Sequence, residues 1–375
     1  MQKTHKNCAV GAISLLTKMN ESVLAVSAAA ILATLATAGT APANEVTAMP
    51  ATKPDRLIVR TWGGPWRSSY EAAAAASFTA KTGIPVEFDV TDFNEIQVKV
   101  GQAVSAKARP PVDVVLTIET MAYAAQVQGV SIPLDPHLIE SLDQLSSVAI
   151  PEGATNYINV STYSQPIVYD PAQVSLPDSI SWQEIFDPKY AGKLFVTNTY
   201  SSLLYPVAKM MGLDYTTDDM TPVFARISEL SGNIGAAGDE EEFIAGMEAG
   251  QISIGVTLAA TAIELGGLKW IVPQEGAVVS SESFYVPAGL PDDVSYWAQI
   301  FIDETLTAEN QAKIAAGIGE APVNLQATVP DFMKGDPAFP ITEADIAKYG
   351  IVVPVGIEAR NNNDWQAAYT AAIQR

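Results

Sequence analysis

The sequence predicts an α/β protein of two units, each a mostly parallel sheet flanked by helices. Three observations carry the prediction. Short apolar strands alternate with helix-length segments from Leu57 onward, the alternation resumes near Leu194, and two extended stretches without helical periodicity connect the runs. Strands alternating with helices indicate a layered sheet, and a chain of 375 residues is long enough for two compact cores.

In the first run, Leu57 to Trp62 reads as a strand. Ser69 to Thr82 reads as a helix, because Ala72 to Ala76 are strong helix formers and Gly83 stands where a helix ends. Val86 to Val90 is the next strand, Asn94 to Ala108 a helix, Val112 to Thr117 a buried strand, and Met121 to Gln128 a helix stopping at Gly129. The second run has a strand at Leu194 to Thr197, a helix at Ser201 to Met211 closed by Gly212, and a strand at Ile252 to Thr257. Tyr163 to Tyr169 and the stretch around Val279 to Val286 are the extended connectors. Apolar residues three or four apart mark helices over Val294 to Glu304 and Ala308 to Ala316, and a last helix is expected over about Asn363 to Ile373.

The chain opens with Lys3, Lys6 and Lys18, an apolar run from Val23 to Ala38, and the small-residue sequence Ala41-Pro42-Ala43. That order is the pattern of a cleavable signal peptide over residues 1–43, too short in its apolar part to span a bilayer comfortably. A periplasmic location is expected. Cys8, the single cysteine, falls before the apolar run, and beyond it the only histidine is His137. Disulfide scaffolds, thiol nucleophiles and Cys/His zinc sites are thereby excluded, and neither metal nor cofactor is expected. With 42 acidic against 21 basic side chains and a net charge of −21, the surface repels nucleic acid. The same charge favours solubility, and a monomer is expected.

Three stretches together resemble the extracellular solute-binding proteins of ABC importers, in the family that contains the spermidine/putrescine-binding proteins. They are Thr61-Trp62-Gly63-Gly64-Pro65-Trp66 followed by Thr82-Gly83-Ile84-Pro85-Val86; Ser181-Trp182-Gln183-Glu184-Ile185-Phe186-Asp187-Pro188-Lys189-Tyr190-Ala191-Gly192-Lys193; and Val272-Pro273-Gln274-Glu275-Gly276-Ala277 with Glu309-Asn310-Gln311-Ala312 and Ala321-Pro322-Val323-Asn324 downstream. The resemblance implies a type II periplasmic-binding-protein fold in which two lobes close on a small-molecule solute and present it to an inner-membrane ABC permease. Carried onto this chain, lobe 1 is 55–163 plus 281–330, and lobe 2 is 164–280 plus 331–375.

Trp62, Gly63 and Gly64 end the first strand, where α/β sheets place ligands; Trp66 adds an aromatic wall, although both tryptophans and both glycines also suit a core and a turn. Against the polyamine-binding pattern, Asn198, Thr199, Tyr200 and Ser202 stand where relatives bring acidic residues, Ser280 and Leu258 stand in place of tryptophans, and Glu282 matches a family carboxylate. The candidate cleft therefore comprises Trp62, Gly63, Gly64, Trp66, Glu119, Tyr163, Asn198, Thr199, Tyr200, Ser202 and Glu282. Such a set suits a small or singly charged amine, an amino-acid-like zwitterion or an opine. Glu119 equally suits the start of a helix, and the hydroxyls from Thr199 to Ser202 equally suit helix capping.

Competing readings are a ferric-iron or phosphonate binder of the same fold, a solute receptor serving chemotaxis, and an exported hydrolase. Thirteen tyrosines leave iron open, but none are adjacent. For a hydrolase, His137 lies in a turn-like Asp135-Pro136-His137, no Gly-x-Ser-x-Gly occurs, and Asp89 with Asp92 reads as a polar loop.

Overall fold

The structure, a computed structural model, describes residues 48–374. The expected signal segment, 1–43, lies outside the described residues. Among these, twelve strands form two sheets. The strands are β1 (Leu57–Arg60), β2 (Val86–Asp89), β3 (Val114–Ile118), β4 (Tyr157–Gln165), β5 (Ile167–Tyr169), β6 (Leu194–Thr197), β7 (Ile234–Gly238), β8 (Ile254–Val256), β9 (Lys269–Ile271), β10 (Ala277–Tyr285), β11 (Ala321–Pro322) and β12 (Gly350–Ile351). The large sheet runs β11-β4-β10-β3-β1-β2, with β12 beside the start of β10; the small sheet runs β7-β6-β8-β5-β9. Strands β1, β2 and β3 are parallel, as are β6, β7 and β8, whereas β10 is antiparallel to both β3 and β4. Both sheets are helix-flanked, as the alternation of elements led one to expect, and both are mixed, because β10 in the large sheet and β5 in the small one run antiparallel to their neighbours.

The chain passes between the sheets where chemistry allows a break. Strand β4 ends at Gln165, Pro166 offers no N–H to a ladder, and β5 starts in the other sheet at Ile167. It returns from β9 to β10, which pairs with β4 from Val278↔Gln165 to Tyr285↔Tyr157. The final helix, Val355–Ile373, begins eight residues before its expected start. Its Asn361-Asn362-Asn363 run is a poor helix former, and burial of Val355, Tyr369 and Ala372 overrides that preference. At the N-terminal end, Pro65 in the first turn starts a helix four residues ahead of Ser69 (Pro65–Tyr70), which runs through a π-turn (Glu71–Ala75) into Ala76–Thr82.

Two of the motifs quoted above lock together at the base of β10. The Trp182 indole is fully buried and donates to the Gly276 carbonyl (2.7 Å), the Glu275 carboxylate accepts from the Ser181 hydroxyl and the Trp182 amide, and the Gln274 amide donates to the Ile180 carbonyl (2.8 Å). Gly276 has φ 96, and a Cβ there would sit 2.8 Å from the Tyr349 carbonyl oxygen. Left-handed backbone and a backbone obstacle both demand glycine. Gly276→Ala is expected to lower unfolding free energy by about 2 kcal/mol or more, read as an earlier midpoint in urea denaturation; an unchanged midpoint would contradict this tight approach.

Candidate functional site

A cavity of about 920 Å³ opens where parallel strands of both sheets end. Trp62 and Gly63 follow β1, Asp92 and Phe93 follow β2, and Ile118 ends β3; from the small sheet, Asn198 follows β6, Gly238 ends β7 and Leu258 follows β8. This is the general ligand position of α/β sheets, here supplied from two sides. Tyr163, Ser280 and Glu282, on the crossing strands β4 and β10, line it as well.

Its electrostatics centre on Glu282, which is 5% exposed. The Trp62 indole N–H donates to the Glu282 carboxylate at 3.0 Å. Beneath the Trp62 ring lies the Arg60 guanidinium, 4.0 Å from the ring centroid. Arg60 is itself buried and donates to the carbonyls of Leu116 (2.6 Å) and Thr91 (3.1 Å). Phe93 meets the Trp62 ring edge-on at 5.3 Å. Burial raises the Glu282 carboxyl to about 7, against the pull of the Trp62 hydrogen bond and the Arg60 charge.

A second carboxylate, Glu320, lines the same cavity at 1% exposure. It sits between Gly319 and β11, and Ser161 on β4 donates its hydroxyl to it. Burial and the Glu282 charge push its carboxyl well above the usual range. Across the cavity Glu240, at the start of the helix Glu240–Glu248, is also raised by burial. Among the described residues, no lysine or arginine lines this cavity. Its lining is thus acidic, with an aromatic wall from Trp62, Trp66 and Phe93.

A second cavity, about 610 Å³, is lined by residues of both sheets' connections together with the final helix. Glu119 and Glu358 line it, and burial raises each carboxyl to about 7, with the charge of Glu358 adding to the effect on Glu119. The Tyr157 hydroxyl donates to Glu119 (3.4 Å) and the Tyr205 hydroxyl to Glu358 (2.9 Å). Tyr163, Thr199 and Ser280 border both cavities.

Of the residues singled out from the sequence, the structure brings Trp62, Gly63, Trp66, Tyr163, Asn198, Thr199 and Glu282 to the larger cavity. Glu119 and Tyr200 line the smaller one instead. Ser202 lines neither: it is fully buried, accepts from Thr197 and donates to the Thr199 carbonyl, so it braces the loop after β6. Gly64 makes the turn into the helix at φ 57, ψ −131, which only glycine takes readily. His137 is exposed on a short turn after Asp135. No group of three or more His, Cys, Asp or Glu among the described residues is arranged to hold a metal ion. None of these helices is long and apolar enough to cross a membrane.

Arg60, Glu240 and Glu320 were missed. Glu320 had a signal, because it immediately precedes a quoted motif whose amides turn out to be anchors. Gln311 donates to the Val160 carbonyl (2.9 Å) and accepts from the Val323 amide (2.9 Å), and Asn324 donates to the Leu306 carbonyl (2.8 Å). These bonds fix β11 against β4 and so aim Glu320 into the cavity.

Comparison with known proteins adds a family match. The model of a family described as bacterial extracellular solute-binding protein matches residues 73–341. Among solved structures, the chain is similar to the spermidine/putrescine ABC transporter substrate-binding protein PotD of Streptococcus pneumoniae, with 20% identity, TM-score 0.71 and coverage of 86% of this chain and 99% of that one. It is similar to a GABA receptor at 20% identity, TM-score 0.69 and coverage of 85% and 97%. A third similar structure is AgtB of A. tumefaciens R10 in complex with agropinic acid, at 19% identity, TM-score 0.63 and coverage of 85% and 99%. A search of curated protein sequences returns no match.

The buried carboxyls make stability depend on pH with a definite sign. A carboxyl raised in the folded state stabilises the fold fully below its unfolded value and loses that contribution as pH rises through the folded value. Glu119 and Glu358, both raised to about 7, act in that sense, as do Glu282 and Glu320. The melting temperature without solute is expected to be higher near pH 5 than near pH 8, by about 5 °C, with a smaller difference in Glu119→Gln and Glu358→Gln. A melting temperature that rises from pH 5 to pH 8 would contradict this.

Proposed function

The chain belongs to the bacterial extracellular solute-binding protein family, and from that premise we propose that its larger cavity captures a small solute carrying a cationic amine and delivers it to the membrane permease of an ABC importer. The observation that supports the reading most is the buried acidic pair, Glu282 and Glu320, set beside the Trp62 ring with no lysine or arginine on the cavity wall among the described residues. An ammonium group supplies the missing charge, and its alkyl chain packs against the aromatic wall. The family and this fold are those of solute-binding proteins and not of enzymes.

The far side of the cavity narrows the class. Asn198, Thr199 and Ser201, after β6, offer amide and hydroxyl groups where a long diamine would need a second carboxylate. The helix Ser201–Met210 starts there without a side-chain cap, and the dipole of its N-terminus favours a polar or anionic end of the solute. Glu240 lies on the same rim and accommodates a second ammonium in a shorter solute. Amino-acid-like amines and short polyamines both fit this polarity, and the neighbours include proteins described with spermidine/putrescine, GABA and agropinic acid. Closure of the two lobes on the solute is the state the permease would read. Export to the periplasm follows from the same reading.

A thermal-shift screen of the protein against amines, amino acids, opines, ferric salts and phosphonates tests it, because a solute that binds only the folded form raises the melting temperature. Stabilisation by amines and not by ferric salts or phosphonates is expected. Trp62→Ala and Glu282→Gln should each weaken amine binding about a hundredfold, in the range measured when a buried charge partner is removed. Unchanged affinity in both variants would contradict the assignment of this cavity.

A further inference from the structure

We propose that capture of a cationic solute here expels a proton, and that Glu320 is the residue carrying it in the empty cleft. The inference rests on the amine reading above and adds a coupling to it.

The two carboxyls are neighbours through a common partner. Ser161 stands opposite Glu282 in the β4–β10 ladder, and the same residue donates its hydroxyl to Glu320. Both acids are buried and line one cavity. Two adjacent buried carboxylates cannot both ionise without a counter-charge. Arg60 is the buried cation beside Glu282, and its reach is shared: it donates to the carbonyls of Leu116 and Thr91, lies under the Trp62 ring, and is drawn also by Asp92 and Asp89. One cation for two carboxyls leaves one proton in place.

The same contacts say which acid keeps it. Glu282 receives the Trp62 N–H and the nearby Arg60 charge, both of which favour its ionised form. Glu320 is raised by burial and by the negative charge of Glu282, which outweigh the pull of the donated Ser161 hydroxyl toward the ionised form, so it holds the proton more firmly. The other titratable groups facing the pair do not substitute: Asp92, Asp239, Glu241 and Glu264 also line the cavity, and as acids they supply no counter-charge. The phenols of Tyr70 and Tyr163 are raised further by the pair itself and by burial, and Tyr285 by burial, so all three stay neutral. Glu240 faces the pair across the cavity from the opposite sheet and adds negative charge as it ionises. When an ammonium enters, its charge takes over the role of the proton: the Glu320 O–H bond breaks heterolytically, the proton leaves to solvent, and the carboxylate accepts an N–H from the solute. The step changes no oxidation state, and one proton leaves for the one ammonium group that takes its place beside Glu320. Binding is then tighter at higher pH and weaker in an acidified periplasm.

Calorimetry of the protein with putrescine and with GABA, in buffers of differing ionisation enthalpy, reads the coupling directly. Release of about one proton per amine is expected, with Kd falling up to about tenfold per pH unit between about pH 6 and pH 8. At pH 8, above the value of about 7 for Glu282, Glu320→Gln should abolish the release, whatever its affinity. Amine binding with no proton release and no pH dependence would overturn the proposal while leaving the amine reading intact. If neither probe binds, the amine reading fails, and the proton is sought in the empty cleft by NMR titration of carboxyl-labelled glutamates. There a carboxyl absent from Glu320→Gln is expected to stay protonated well above the ordinary carboxylate range, and its titration within that range would overturn the proposal on its own.

Discussion

The antiparallel ladder between β4 and β10 is the constraint on which the rest of this structure depends. These nine-residue strands sit in the middle of the large sheet and carry the chain to and from the small one. A shift of one residue in their register would turn Glu282 and Tyr163 away from the cavity they line, because side chains alternate faces along a strand. The register is accordingly held at several points. Trp182 and Glu275 anchor the approach to β10, β12 pairs with Ala277 and Val278, and β11 clamps the outer edge of β4.

On this frame the electrostatics of the cavity are set by a shortage of positive charge. Burying a carboxylate costs several kcal/mol unless it is paired, and Arg60 with the Trp62 indole offsets that cost for Glu282 alone. Placing Arg60 under the ring serves two ends: the ring is held edge-on to Phe93, and the guanidinium is kept out of the cavity itself. The smaller cavity repeats the theme with Glu119 and Glu358, joined to the body of the protein by tyrosine hydroxyls.

Much of the architecture was legible because strand and helix periods are local properties. Gly83, Gly129 and Gly212 each follow the helix they were expected to end. Strands β7 and β9 escaped notice, the first because Ile234-Gly-Ala-Ala-Gly238 has little intrinsic strand preference and exists through its pairing with β6. At the site, Trp62, Gly63 and Glu282 were legible from motif and strand end. Ser202 was misleading, since a hydroxyl near a helix start serves bracing as well as binding. Arg60 and Glu320 were hidden for a different reason: an arginine inside a strand and a glutamate after a glycine look like surface residues until the fold shows that both are buried.

The most direct measurement is a crystal structure of the protein grown with putrescine or GABA. The account expects density in the larger cavity, with an amine nitrogen within hydrogen-bonding distance of the Glu282 carboxylate and its carbon chain against Trp62. Density confined to the cavity of Glu119 and Glu358, or a Glu282 carboxylate turned away from the bound amine, would contradict it.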